Sequence, residues 1–205
     1  MRLITLLLVL GTALVAAQAD LNPDSRARLP YLQRKDMDEK AMPIFDTLPG
    51  LGKDGVLKGP LAFAAYNPAV AKALFDLHNA AVAGALNPHD RELAIMVACR
   101  ETNYNLEWNG HEATALKNGV DAKVLDVVRK RGPLTGLNEK DALVIKFGRQ
   151  LFADRKMDSA TFARAAELFG RKGALDMVAV MITYADSGFY GIAVDEHAAP
   201  GKSPL

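Results

Sequence analysis

Apolar residues along the chain recur at helical spacing, and no stretch alternates with period two for the length of a strand. After an irregular arm from residue 21 to 35, which holds Pro23 and Pro30, a short helix is predicted over Asp36 to Leu48, weakened or broken by Pro43. Pro49-Gly50-Leu51-Gly52 and Gly59-Pro60 read as loops. Pro68 opens a helix in which Val70, Leu74, Leu77, Ala81 and Leu86 fall near the helical period. Asn87-Pro88 starts the next, with Asn as cap and Pro in the first turn. Its run Leu93, Ile95, Met96, Val97 and Ala98 is apolar on nearly every side and predicts a central helix. A further helix restarts at Asn103 and stops at Asn118-Gly119. Asp121 caps Ala122 to Arg131, Asn138 caps Glu139 to Phe152, and Asp158 caps Ser159 to Phe169, which Gly170 closes. Ala174 to about Val194 is a last helix, apolar around most of its circumference. The pattern predicts an all-α fold of about seven helices joined by short loops.

Composition narrows this picture. Half of the 205 residues are hydrophobic, which excludes a disordered chain. Lys+Arg 25 against Asp+Glu 24, with no basic run, argues against a nucleic-acid partner. A single cysteine, Cys99, excludes an internal disulfide, a cysteine-rich zinc site and a CxxC redox pair. Residues 1–19 have a positively charged start at Arg2, an apolar core from Leu3 to Val15 and the small-x-small end Ala17-Gln18-Ala19. They read as a signal peptide, too short to span a bilayer. The expectation is an exported chain, periplasmic or secreted, with no membrane anchor after cleavage and a single helical domain over residues 20–205.

Candidate chemistry concentrates between Glu92 and Glu112. At about 100° per residue, Tyr104, Glu107 and His111 share a sector of about 60°, with Trp108 beside it. A phenol, a carboxylate and an imidazole on one face are groups that proton transfer uses. Glu92 opens the most apolar helix between the leader and the last helix, and a carboxylate there must find a partner or shift its pKa. An imidazole from a neighbouring helix is the natural partner. Arg100, at the end of the same helix, is a candidate clamp for a substrate carboxylate, and His78 a candidate cavity residue. Glu107 and His111 supply only two ligands and no HExxH pair is present, so no metal and no other cofactor are expected. Cys99, within Met96-Val97-Ala98-Cys99, reads as a packed core thiol.

The block Glu92-Leu93-Ala94-Ile95, Tyr104, Glu107-Trp108, His111-Glu112, Ala115 and Gly119 resembles the carboxymuconolactone decarboxylase and alkylhydroperoxidase-D-like superfamily. The likeness extends through Gly59-Pro60, Asn67-Pro68 and residues 121–131. The peroxidase branch carries E-x11-C-x2-C-x3-H. Here the spacing is kept as Glu92, Tyr104, Glu107 and His111, with both thiols replaced. The resemblance implies an alkylhydroperoxidase-D-like bundle with proton-relay positions at Glu92 and His111. It also implies a homo-oligomer, trimer or hexamer, which would cover the apolar last helix. Thiol–disulfide peroxide reduction loses both sulfur atoms at these positions. The expected activity is decarboxylation or proton transfer on a small unsaturated lactone or carboxylic acid. His111 would deliver the proton, Glu92 would orient it, and Tyr104, Glu107, Trp108, Arg100 and His78 would contact the substrate. The alternatives are a peroxide-reducing enzyme and a non-catalytic binding protein of the same fold.

Overall fold

The computed structural model describes residues 21–201 and Leu205. The signal-peptide reading of residues 1–19 lies outside the described residues. Seven α-helices follow one another among the described residues: α1 (Met42–Phe45), α2 (Pro68–Val82), α3 (Pro88–Glu101), α4 (Asn105–Lys117), α5 (Ala122–Lys130), α6 (Glu139–Arg149) and α7 (Ser159–Ala193). Among the described residues there is no strand longer than an isolated bridge, of which there are two, Gln33 with Val56 and Leu51 with Leu57. The fold is all-α.

Helix α3 is the centre. The Asn87 side chain accepts from the Asp90 amide at 2.9 Å, which satisfies one of the unpaired first-turn donors, and Pro88 takes a position where no donor is needed. Every residue from Glu92 to Cys99 is buried, because α4, α5, α6 and α7 all pack against this helix. Full burial of each large side chain in this run contributes about 1.5–3 kcal/mol. A second, smaller core of Phe45, Leu48, Leu57, Leu61 and Ala71 ties the residues before α2 to α2 itself.

Local differences from the sequence pattern have identifiable causes. Pro43 opens α1 rather than breaking a longer helix, and α1 is one turn long. Val70 and Leu77 face solvent, while the small residues Ala71 and Ala81 form the buried side of α2. Helix α6 ends at Arg149 and continues as a π-turn over Gln150–Asp154. The last two predicted helices form one element, α7, interrupted at Gly170, whose φ of 74° is the left-handed conformation that favours glycine.

The second half of α7 was expected to be enclosed on nearly all sides. Within one chain its inner side packs on α3 and α2, while Leu175, Ile182, Phe189 and Ile192 stay 47–60% exposed. The first three recur every seven residues and form one stripe.

Candidate active site

The chain turns sharply between α3 and α4. Thr102 caps α3 and Asn103 adopts a left-handed φ of 55°, which asparagine tolerates better than most residues. The helix predicted to restart at Asn103 therefore begins at Asn105, with Tyr104 in extended conformation as its N-cap. This turn brings α4 back along α3. His111 Nδ1 lies 3.0 Å from Glu92 Oε2, across nineteen positions of sequence. On its other side His111 Nε2 lies 3.7 Å from Glu107 Oε2, one helical turn away. Both carboxylates are buried, whereas the imidazole is 24% exposed.

Glu107 is the unusual carboxyl. Desolvation pushes its pKa up, His111 opposes this, and the nearby Glu196 and Asp186 carboxyls push it further up. Tyr184 meets the His111 ring edge-on at 4.9 Å and the His78 ring at 5.4 Å, so the two imidazoles face one phenol ring. Burial, and then the proximity of His111, lowers the pKa of His78.

The remaining predicted site residues go elsewhere. Tyr104 leaves the shared sector, because as a cap it is outside the helix whose period defines that sector. Its hydroxyl donates to Glu196 Oε2 in the C-terminal tail, and burial raises its pKa far out of the working range. Its ring lies so close to α7 that a Cβ at Gly191 would stand 2.2 Å from Tyr104 Cε2. Trp108 is buried in the main core, donates to Glu112 Oε2 at 3.2 Å and carries the Arg129 guanidinium over its ring at 5.0 Å. It does not line the cavity described below. Arg100 donates from Nε to the Arg129 carbonyl at 2.7 Å and from Nη1 to Asn103 Oδ1 at 2.6 Å. It is fastened to the end of α5, and the expectation that it clamps a substrate carboxylate loses its geometric basis.

A cavity of about 290 Å³ opens between α2, α7 and residues 49–61; His78, which shares the Tyr184 ring with His111, lines it, whereas Glu92, Glu107 and His111 do not. Leu61, Leu74, Phe75, His78, Thr183 and Asp186 are among its lining residues. Asp186, unlike Glu107, is not among the residues that the sequence pattern singles out as a site. Desolvation raises its pKa to about 6. The signal was present: an isolated carboxylate in an apolar helix, the same reasoning that singled out Glu92. Among the described residues no group of three or more His, Cys, Asp or Glu side chains is arranged to hold a metal ion.

Residues 68–144 match the carboxymuconolactone decarboxylase family. The matched segment begins at Pro68 and contains both Glu92 and His111. Over this segment the chain is similar to that family, and its fold is alkylhydroperoxidase-D-like. One solved structure similar to it is an alkylhydroperoxidase AhpD core, an uncharacterized peroxidase-related protein from Ralstonia eutropha. It shares 20% identity at a TM-score of 0.63, over 88% of this chain and 98% of that one. Another is a cysteine-to-alanine variant of the debrominase Bmp8 in complex with 2,3,4-tribromopyrrole. It shares 16% identity at a TM-score of 0.59, over 87% of this chain and 93% of that one. At these identities the likeness concerns the fold. No curated protein matches the sequence.

Proposed function

We propose that the protein is an acid–base enzyme that moves a proton at a carbon atom of a small unsaturated molecule, the chemistry of lactone and carboxylic acid decarboxylation included. One observation carries this reading: a partly exposed imidazole, His111, backed on both ring nitrogens by buried carboxyls, one of which has a raised pKa. Glu92 fixes the ring and its tautomer through Nδ1, which leaves Nε2 to exchange a proton with a bound molecule or with Glu107. Glu107, whose pKa burial raises, is the carboxyl placed to exchange that proton with Nε2.

Peroxide reduction by a thiol is a poorer match. Cys99 is fully buried, and desolvation, followed by the Glu107 carboxyl, raises its pKa well above the usual thiol value. The thiolate that would attack peroxide is thereby disfavoured. The debrominase and the peroxidase-related protein share the fold with this chain and leave its substrate open.

The test follows carboxymuconolactone and related unsaturated lactone acids in D2O, reading deuterium at the product carbon by NMR. Label should enter with the wild type and with Cys99→Ala, and should fall by at least about 100-fold with His111→Gln. Label entry unchanged in His111→Gln, or lost in Cys99→Ala with the fold intact, would overturn the reading.

Two further properties belong to the same proposal. The leader-like residues 1–19 support export. The exposed stripe Leu175, Ile182 and Phe189 supports a homo-oligomer in which α7 is covered, since an apolar row of this kind is hidden by closed symmetry. Light scattering that returned the 22.1 kDa mass of a single chain at micromolar concentration would defeat the second.

A further inference from the structure

The cavity lined by His78 and Asp186 has polar groups of its own, and most of them are already engaged. Thr183 Oγ1 donates to the Val180 carbonyl at 2.9 Å, within its own helix. Lys58 faces Asp54 at 3.9 Å, both side chains well exposed, so the only cation of the lining sits in solvent at the rim. Asp186 receives hydrogen bonds from Ser187 alone, one of them from Ser187 Oγ at 3.3 Å. A carboxylate can accept about four. His78 packs on Tyr184 and makes no hydrogen bond to another described residue. The lining is otherwise mainly apolar, with Leu61, Leu74 and Phe75 as its largest side chains.

Size, polarity and charge each restrict the guest. A dry cavity of about 150 Å³ takes benzene, so about 290 Å³ suits one substituted ring. Asp186, a carboxyl in the lining whose charge helps to push up the pKa of Glu107, makes the cavity hostile to an anion. Asp186 is partly buried and has acceptor capacity to spare, so a donor on the guest gains a charge-assisted hydrogen bond there.

We propose that this cavity binds a small uncharged aromatic ring bearing one O–H or N–H group, with Asp186 accepting that hydrogen bond and Leu61, Leu74 and Phe75 covering the ring. Asp186 is then the residue that sets specificity. The assignment rests on the acid–base reading above for what happens to the ligand, and on the cavity alone for what is bound.

Phenol, toluene and benzoate separate the terms, being one ring with a donor, without one, and with an anion. Titrated into the full-length protein at about pH 8, phenol should bind at least about tenfold more tightly than either of the others, since a hydrogen bond to a charged group contributes roughly 1.5–3 kcal/mol. The His78 ring signals should shift on binding. Asp186→Leu should abolish the preference of phenol over toluene while keeping toluene binding, and Asp186→Asn, which retains an acceptor oxygen, should keep part of it. Equal affinity for phenol and toluene in the wild type, benzoate binding as tightly as phenol, or a preference that survives Asp186→Leu would overturn the assignment. His111→Gln should leave phenol affinity within about twofold. Failure of the acid–base reading alone would therefore show as lost proton-transfer activity or none at all, with phenol selectivity intact.

Discussion

Two histidines in this protein have almost the same immediate surroundings and different situations. His111 lies 3.0 Å from Glu92 and 3.7 Å from Glu107, and His89 lies 3.1 Å from Asp90 and 3.6 Å from Asp141. Both rings are about a quarter exposed, and all four carboxylates are buried. Asp90 and Asp141, however, sit in the first turns of α3 and α6, where the Asn87 and Asn138 side-chain amides donate to them at 2.7 and 2.6 Å. His89 thus joins two helix N-termini, positions that favour negative charge. Around His111 the buried carboxyl Glu107 has further carboxyls for neighbours, Asp186 and Glu196, and the Tyr184 ring that His111 meets also packs on His78, in the wall of an apolar cavity. A histidine between two carboxylates is therefore not a site by itself. What separates a clasp from a proton carrier is what else surrounds the acids: helix N-termini around His89, further carboxyls around Glu107.

The sharpest way to break this contrast is to treat the two rings alike. His111→Gln should lose about 10²–10⁴-fold in turnover with little change in fold, the range typical of a lost general acid or base. His89→Gln should keep turnover within about twofold and lose about 1–3 kcal/mol of stability, because Asp90 and Asp141 lose a buried partner. Parallel kinetics and urea melts check both. Equal loss of turnover in the two variants would end the distinction.

A change of about 1–3 kcal/mol is also expected from Gly191→Ala, which drives a methyl group into the Tyr104 ring. The loss should shrink in the background of Tyr104→Ala, where the clash is gone. Identical losses in both backgrounds would show that Tyr104 does not occupy that space.

The smallest effect is a pH dependence confined to the carboxyl-rich side. Asp186 has its pKa raised from 3.8 to about 6 in the folded state. Folding therefore favours its protonated form. That contribution is fully present below about pH 4 and is lost as pH climbs through 6. Asp186→Asn, which cannot ionise, should gain stability relative to the wild type between about pH 4 and 6 and hold that gain above it. Urea midpoints that move in parallel across this range would place Asp186 in water, not in the cavity wall.

The sequence made one part of the site legible and obscured another, for physical reasons. Asn87-Pro88 marks the start of α3 unambiguously, and the apolar run after it forces Glu92 to find a partner. His111 lies close along the chain, after a single turn, so the two could be paired before any tertiary contact was known. Tyr104 was grouped with Glu107 and His111 by assuming an unbroken helix, and the left-handed backbone of Asn103 removes it from that face. Arg100 was read as a free cation because its acceptor, the Arg129 carbonyl, belongs to a helix whose docking angle no periodicity encodes. Glu196 was invisible for a related reason: it acts on Tyr104 across 92 positions, through a tail with no regular structure.

That tail has a consequence for the order in which the molecule is completed. Glu196 reaches Tyr104 while the Arg28 amide donates to the Val194 carbonyl and the His197 amide to the Arg26 carbonyl. The first described segment of the chain is thus clasped by nearly the last. During synthesis the helices that form the main core emerge well before residue 194 and can pack locally as they appear. The segment around residues 26–28 must wait for its partner until residues 194–197 have been made. Contacts between such distant positions close slowly. The Tyr104 hydroxyl therefore meets its acceptor only after the helices of the main core have emerged, and a product truncated before residue 194 would keep the histidine and its two carboxylates but never fasten that edge of the site.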